Sequence, residues 1–282
     1  GIRQKRLGDL VRETKNLCNT NGTLTAGYLC YVLFGDPALK LAYPSNDIKI
    51  FYVNGQLQKD VVNVGAMESI RVVGAVLDEN GNTDTGFNGY IYPKMYDNAS
   101  NLHTLNNTGD NTDYLYFKCL KDIVYEGKVS VRNGGFDFSF NVPRSVNHQD
   151  NMARMSFYAY DTIREIDANG FFNDIKINGM ADMPIDTEGP EISMAWQGDA
   201  SAQDAGILRV SISDPQGLYH YNSVIGRSVM LMHVSESGSV SENVNDLFVP
   251  AVDDFTRGSL SVPFASLEPG RHLFSIRAWD LH

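Results

Sequence analysis

The 282 residues suffice for two domains of ordinary size, and 43% hydrophobic against 20% charged residues is the balance of a folded chain, too apolar for disorder. A formal net charge of −11 argues against nucleic-acid binding, which needs a basic footprint. No apolar run approaches the ~20 residues of a membrane-spanning helix. Fourteen Tyr, 14 Phe, 25 Gly and 10 Pro lean toward short strands joined by tight turns, so the fold class expected is mainly β. The charge is unevenly placed: residues 1–44 hold six Lys or Arg against three Asp or Glu, and the remainder holds 17 against 31. That shift sets a boundary near residue 44. Three widely spaced cysteines, Cys18, Cys30 and Cys119, specify neither a disulfide framework nor a zinc site.

The first predicted element is a helix over about residues 3–18. Leu7, Leu10, Val11, Thr14, Leu17 and Cys18 recur at helical spacing, giving one apolar and one basic face, and Asn19, Asn21 and Gly22 supply the stop. Tyr28–Phe34 is nearly continuous in apolar residues, as expected of a strand buried on both faces. Helix followed by buried strand reads as the closing unit of a parallel sheet whose other strands are elsewhere. Gly1 opening directly onto a helix, and a strand-like run ending at His282, read as a piece of a longer protein.

From residue 45 the period becomes two. Ile70, Val72, Gly74 and Val76 share a face before a turn at Asn80-Gly81. Tyr90, Tyr92 and Tyr96 line one side of the next run, and Pro93 suggests an edge strand. Phe136, Phe138, Phe140 and Val142 alternate with polar residues after the turn Asn133-Gly134, and Met155, Phe157 and Ala159 alternate again. Turn signals about every ten residues describe an immunoglobulin-like sandwich over 45–184. A turn-rich linker, Met183–Pro190, precedes a second series with strands at Ile192–Trp196, Leu208–Ile212, Val229–His233, Leu260–Val262 and Phe274–Ala278. This predicts a second sandwich over 185–282, truncated at its end.

Candidate sites are sparse. A nucleophilic thiol needs a nearby imidazole, and the six histidines are His103, His148, His220, His233, His272 and His282. Cys18 is placed on the apolar helix face, Cys30 in the buried strand and Cys119 in a strand at Tyr114–Leu120, so all three are expected to be inert, and no catalytic residue is assigned. Asp78, Asn80, Asn82 and Asp84 set oxygen ligands at alternate positions around Gly81, a loop that Ca²⁺ accepts; the same residues are also good hairpin chemistry without a metal. No other cofactor is expected. Tyr90, Tyr92, Tyr96, Tyr219 and Tyr221 are candidates for sugar contacts, since sugar sites set exposed aromatics beside polar groups; the pattern alone leaves exposed and core positions undistinguished.

Several segments together resemble one family. Phe34-Gly35-Asp36-Pro37-Ala38-Leu39-Lys40-Leu41 is similar to the element that closes the caspase-like domain of gingipain-type cysteine peptidases, and Leu7–Lys15 stands where that family has its last long helix. Ala42-Tyr43-Pro44, Gly74–Asp78, Gly86–Gly89 and Tyr96-Asp97 resemble the PorU-like C-terminal signal peptidases of type IX secretion in Bacteroidetes. Asp186–Ile192 and Ala278-Trp279-Asp280 are similar to the later β modules of those proteins. The resemblance implies that residues 1–44 end a peptidase domain, with the catalytic His and Cys upstream of Gly1. It implies a cysteine endopeptidase as parent, secreted or held at the outer membrane of a Gram-negative cell, of which this soluble region is non-catalytic. The partners implied are the peptidase domain of the same parent chain, secreted cargo and other type IX secretion components. In that setting Asp161-Thr162-Ile163 resembles an O-glycosylation acceptor, and the Asn-X-Ser/Thr sites at Asn21, Asn98 and Asn106 carry little meaning. The competing class is an immunoglobulin-like adhesion or carbohydrate-binding module of a bacterial surface protein.

Overall fold

The computed structural model describes residues 5–20, 30–57, 61–105, 107, 114–147, 151–182, 186–198, 206–221 and 226–282. The chain forms two compact units, residues 1–45 and 46–282. Among the described residues no helix is long and apolar enough to cross a membrane.

In the first unit, helix α1 spans Leu7–Thr20. Its first N–H groups have no intrahelical partner, and the Gly35–Leu39 segment supplies acceptors for two of them. Asp36 and Pro37 open a turn in which Ala38 N donates to Asp36 Oδ1 at 2.8 Å and Leu39 N to the Asp36 carbonyl at 3.2 Å. The turn presents two carbonyls to the helix: Leu7 N donates to Leu39 O at 2.8 Å and Gly8 N to Pro37 O at 2.9 Å. Asp9, in the first turn, pairs with Arg6 at 2.9 Å and Arg12 at 3.0 Å, where a negative charge suits the helix dipole.

The expected strand over 28–34 is corrected. Tyr28 and Leu29, like Asn21 and Gly22, lie outside the described residues, and Tyr31–Phe34 have no regular structure. Tyr31 is 73% exposed and Phe34 94%. A strand requires a ladder partner for its N–H and C=O groups, and among the described residues of this unit the one bridge joins Arg6 to Lys40. Cys30 is therefore exposed rather than buried.

Among its described residues the second unit carries 21 strands, and it opens with the first sandwich. Its strands are β1 Asn46–Val53, β2 Gln56–Leu57, β3 Val62–Ala66, β4 Ser69–Leu77, β5 Gly89–Tyr96, β6 Ser100–His103, β7 Tyr116–Cys119, β8 Ile123–Glu126, β9 Val129–Val131, β10 Gly135–Asn141, β11 Ala153–Asp161 and β12 Ile166–Met180. The ladder runs β10-β4-β1-β12-β11-β5-β8, with β9 also on β5, β3 on β12 and β2 on β1. The inward residues alternate along each strand. Ile70, Val72 and Val76 on β4, Phe136, Phe138 and Phe140 on β10, and Met155, Phe157 and Ala159 on β11 fill one core. Gly74 interrupts the β4 row because the Phe136 ring lies there: a Cβ would sit 2.5 Å from Phe136 Cζ.

Pro93 does not mark an edge. Strand β5 has β11 on one side and β8 with β9 on the other. The proline is tolerated because its missing N–H faces the break between β8 and β9, where Gly127 N donates to Pro93 O at 3.1 Å.

The second sandwich comprises β13 Glu191–Gln197, β14 Gly206–Ser213, β15 Leu218–Tyr219, β16 Met230–Ser235, β17 Gly238–Asn243, β18 Val249–Ala251, β19 Asp254–Phe264, β20 Leu273–Arg277 and β21 Trp279–Asp280. Sheet β13-β14-β19-β18 packs on β17-β16-β20 around Leu208, Val210, Ile212, Leu231, Leu260 and Val262. Trp196 stacks on Phe274 at 5.9 Å and crosses Gly206, where a Cβ would meet the indole at 2.0 Å. Only glycine leaves room for that ring.

The two sandwiches keep separate main cores and meet across a third, small cluster of Tyr219, Tyr221 and Leu281, with Ile123 and Trp279 against it. Phe255 of β19 reaches the first core. Also between the sandwiches, Asp253 accepts from Ser130 N at 2.6 Å and Ser130 Oγ at 2.7 Å, Arg144 N donates to Leu281 O, and Asn141 Nδ2 donates to Gln216 O. In the linker, Met183–Ile185 lie outside the described residues and Thr187, Glu188 and Gly189 are exposed.

Candidate functional site

The thiols sit in three unlike settings. Cys18 is half-buried on α1, Cys30 is exposed, and Cys119 is half-buried rather than a core residue, because its strand β7 pairs with β6 alone, in a two-stranded ribbon. The described imidazoles have other partners. His103 lies edge-on to Tyr114 and Tyr116, His233 Nε2 is 2.9 Å from His272 Nδ1, and His272 Nε2 is 2.7 Å from Glu268 O. His282 Nδ1 accepts from Asp186 N, and His220 stacks on Phe248 at 4.5 Å. Burial pushes His220 down to about 4. His148 lies outside the described residues.

In the 78–84 loop the oxygens serve the turn. Asp78 Oδ1 accepts from Asn80 N and Asn82 N, both at 2.9 Å, and Gly81, at φ +82°, donates to Asp78 O. Asp84 faces elsewhere: Oδ1 accepts from Arg164 Nη1 at 2.9 Å and Oδ2 from Asn46 Nδ2 at 2.8 Å. The Arg164 hydrogen bond holds the Asp84 carboxyl below its ordinary range. Among the described residues no group of three or more His, Cys, Asp or Glu is placed to hold a metal ion.

Arg164 also stands 4.0 Å from Asp161, which is 1% exposed and accepts from Asn88 N, Ile163 N and Arg164 N. Burial works to raise the Asp161 carboxyl, and those donors with the guanidinium more than offset it, leaving it lowered. Asp161 is thus the staple of a tight turn, with Thr162 exposed at its tip. Of the Asn-X-Ser/Thr sites, Asn98 is buried with its amide engaged, and Asn21 and Asn106 lie outside the described residues.

The tyrosines divide cleanly. Tyr219 and Tyr221 are buried at the junction, and Glu126 N donates to Tyr221 Oη at 3.2 Å, so neither is a surface contact. Tyr90, Tyr92 and Tyr96 face outward, because Ile91, Pro93 and Met95 take the core side of β5. Two outward residues of β11 went unnoticed in the sequence: Tyr158 stands directly opposite Tyr92 and Tyr160 opposite Tyr90. The alternation of β11 with Phe157 and Ala159 was the signal that would have placed them. The Tyr92 and Tyr158 rings lie 6.4 Å apart with planes 28° from parallel, and Lys128 Nζ sits 4.1 Å from the Tyr90 centroid. Burial, with Asp167 next, raises the Tyr158 hydroxyl. At Tyr92 the row opens onto a groove of about 560 Å³ between the modules, lined by Lys94, Glu126 and Lys128 on one wall and Asn245 and Asp246 on the other. Polar side chains flanking a stacked aromatic surface suit recognition of a ligand with both apolar faces and hydroxyls.

No family model matches the chain, and no curated protein matches it by sequence. Among solved structures it is similar to dimeric latent PorU from Porphyromonas gingivalis, with a TM-score of 0.55 and 23% identity. The match covers 99% of this chain and 27% of that one, so the chain spans about a quarter of the protein it resembles. The fold is PorU-like and mainly β.

Proposed function

We propose that this chain is a non-catalytic accessory β region of a PorU-like cysteine peptidase that processes the C-terminal sorting signals of type IX secretion cargo at the cell surface. The observation that carries the reading is the structural match, which runs through helix and both sandwiches over 99% of the chain. Two further features support it. Tyr31, Val32, Phe34, Leu39 and Leu41 are all exposed in residues 30–41, an apolar set that a neighbouring α/β domain would cover. Cys18 lies on α1, Cys30 is exposed and Cys119 lies in a ribbon, and the described imidazoles contact rings, backbone or one another.

A cysteine peptidase needs a thiolate, a base to generate it and donors for the oxyanion, all within hydrogen-bond reach. In this reading the preceding peptidase domain supplies them, and the sandwiches orient that domain or present cargo to it. The test is a thiol-directed activity probe and a peptide-hydrolysis assay on the folded chain at neutral pH. The expected result is no turnover and no labelling that depends on a histidine. Rapid stoichiometric labelling of one cysteine, lost when a particular histidine is replaced, would overturn it.

A further inference from the structure

We propose that the outer face of β5 and β11, with the adjoining inter-module groove, binds a neutral oligosaccharide. The inference stands apart from the peptidase reading, since it rests on this face alone.

Solvent-facing positions in the middle of a sheet are ordinarily met by Thr, Ser, Lys or Glu, because exposed aromatic area costs solubility and invites association. Here four consecutive cross-strand positions are tyrosine, and their neighbours Ile91, Phe157 and Ala159 already fill the core. The tyrosines therefore lie outside the core. Tyr92 is 41% exposed and Tyr158 44%, and together they offer a ring-lined surface broad enough for the C–H face of a pyranose. Lys128 Nζ lies nearer the Tyr90 centroid, at 4.1 Å, than that of Tyr92, at 5.9 Å, so Tyr92 and Tyr158 are the more open pair.

The frame around them selects the ligand. Asp167 lies in register with Tyr160, and Asn169 with Tyr158, on β12. On the other side Lys94 pairs with Glu126 at 3.1 Å. Donors and acceptors thus stand side by side along both margins, and vicinal hydroxyls, which both donate and accept, satisfy such a margin at once. A proline-rich peptide would bring rings to the tyrosines but mainly carbonyls to the margins, and the Glu126 and Asp167 carboxylates have no proton to donate to them. An anionic glycan is disfavoured by Glu126, Asp167 and Asp246 and by the acidic balance of the chain beyond residue 44.

The test uses the full 282-residue chain in native gels cast with dextran, α-mannan or β-1,3-glucan, with polygalacturonate as the anionic probe and a proline-rich peptide followed by fluorescence anisotropy. The expected result is retardation by at least one neutral polysaccharide. Tyr92→Ala and Tyr158→Ala should each lose about tenfold in affinity, while Tyr92→Phe, which keeps the ring, and Tyr52→Ala, elsewhere on the surface, stay within about twofold. Melting temperatures of the variants confirm that they fold. Unaltered migration in all three neutral gels, equal retardation of the Tyr92→Ala and Tyr158→Ala variants, or binding confined to polygalacturonate or the peptide each overturns the proposal.

Discussion

At the scale of single residues, the chain uses polar side chains in place of backbone. Asn98 is the clearest case: its Nδ2 donates to Ile177 O at 2.6 Å and its Oδ1 accepts from Ile177 N at 3.0 Å, so one amide continues the ladder beyond the end of β11, on the edge of β12 that β3 does not occupy. Replacing it leaves a buried N–H and C=O without partners. Asn98→Ala is expected to cost about 3 kcal/mol, read as a lower urea midpoint, and Asn98→Gln should not restore it because the longer side chain displaces the amide. His220 gives a pH dependence of definite sign. Its folded value lies near 4 and below the unfolded one, so the unfolded chain binds the extra proton as pH falls. The contribution is complete above about pH 6.5 and declines as pH drops from there toward 4. The ring is partly reachable by solvent, so the loss is about 2 kcal/mol at pH 4.5 rather than the full difference. Denaturation at pH 7 and 4.5 should show His220→Phe losing less stability than the natural chain over that interval; an equal loss contradicts the assignment.

At the scale of elements, legibility followed how much of each element's environment lies nearby in the chain. Strand β10 was readable because Phe136, Phe138 and Phe140 alternate with Asp137 and Ser139, which leaves one buried face. Tyr125 stacks on two of these rings, Phe140 at 3.9 Å and Phe138 at 5.9 Å, centroid to centroid. Phe138→Ala is expected to cost ~3–5 kcal/mol, seen as a fall in melting temperature; an unchanged midpoint would mean the strand faces water. Strand β5 was harder, because Tyr90 and Tyr92 alternate with Ile91 and Pro93, and both parities look apolar. Only the pairing with β11 decides which side meets water. Tyr31–Phe34 was misread for a related reason. Continuous apolarity marks a segment able to be buried on both faces, while burial itself depends on strands to either side. The Asp78–Asp84 loop reads equally as turn or cation loop, since both uses ask for oxygens at alternate positions. The structure commits Asp78 to the turn and Asp84 to Arg164.

At the scale of the whole molecule, residues 46–282 make two sandwiches into one compact unit through a packed junction, and residues 1–45 form a unit of their own. The first unit, residues 1–45, is the least self-sufficient part of the chain. Its helix is anchored by the Asp36–Leu39 turn, yet Tyr31, Val32 and Phe34 remain exposed. The proposed accessory role accounts for this by assigning those side chains to a peptidase domain. Hydrogen exchange over residues 30–43 tests the point most directly, comparing the 282-residue chain with a product extended through the coding sequence that precedes residue 1. The account predicts fast exchange in the chain alone and protection of Tyr31–Phe34 by about 100-fold or more in the extended product, together with thiol-dependent peptidase activity. Equal exchange in the two proteins, or an extension that folds as further β modules without a catalytic thiol, would contradict it.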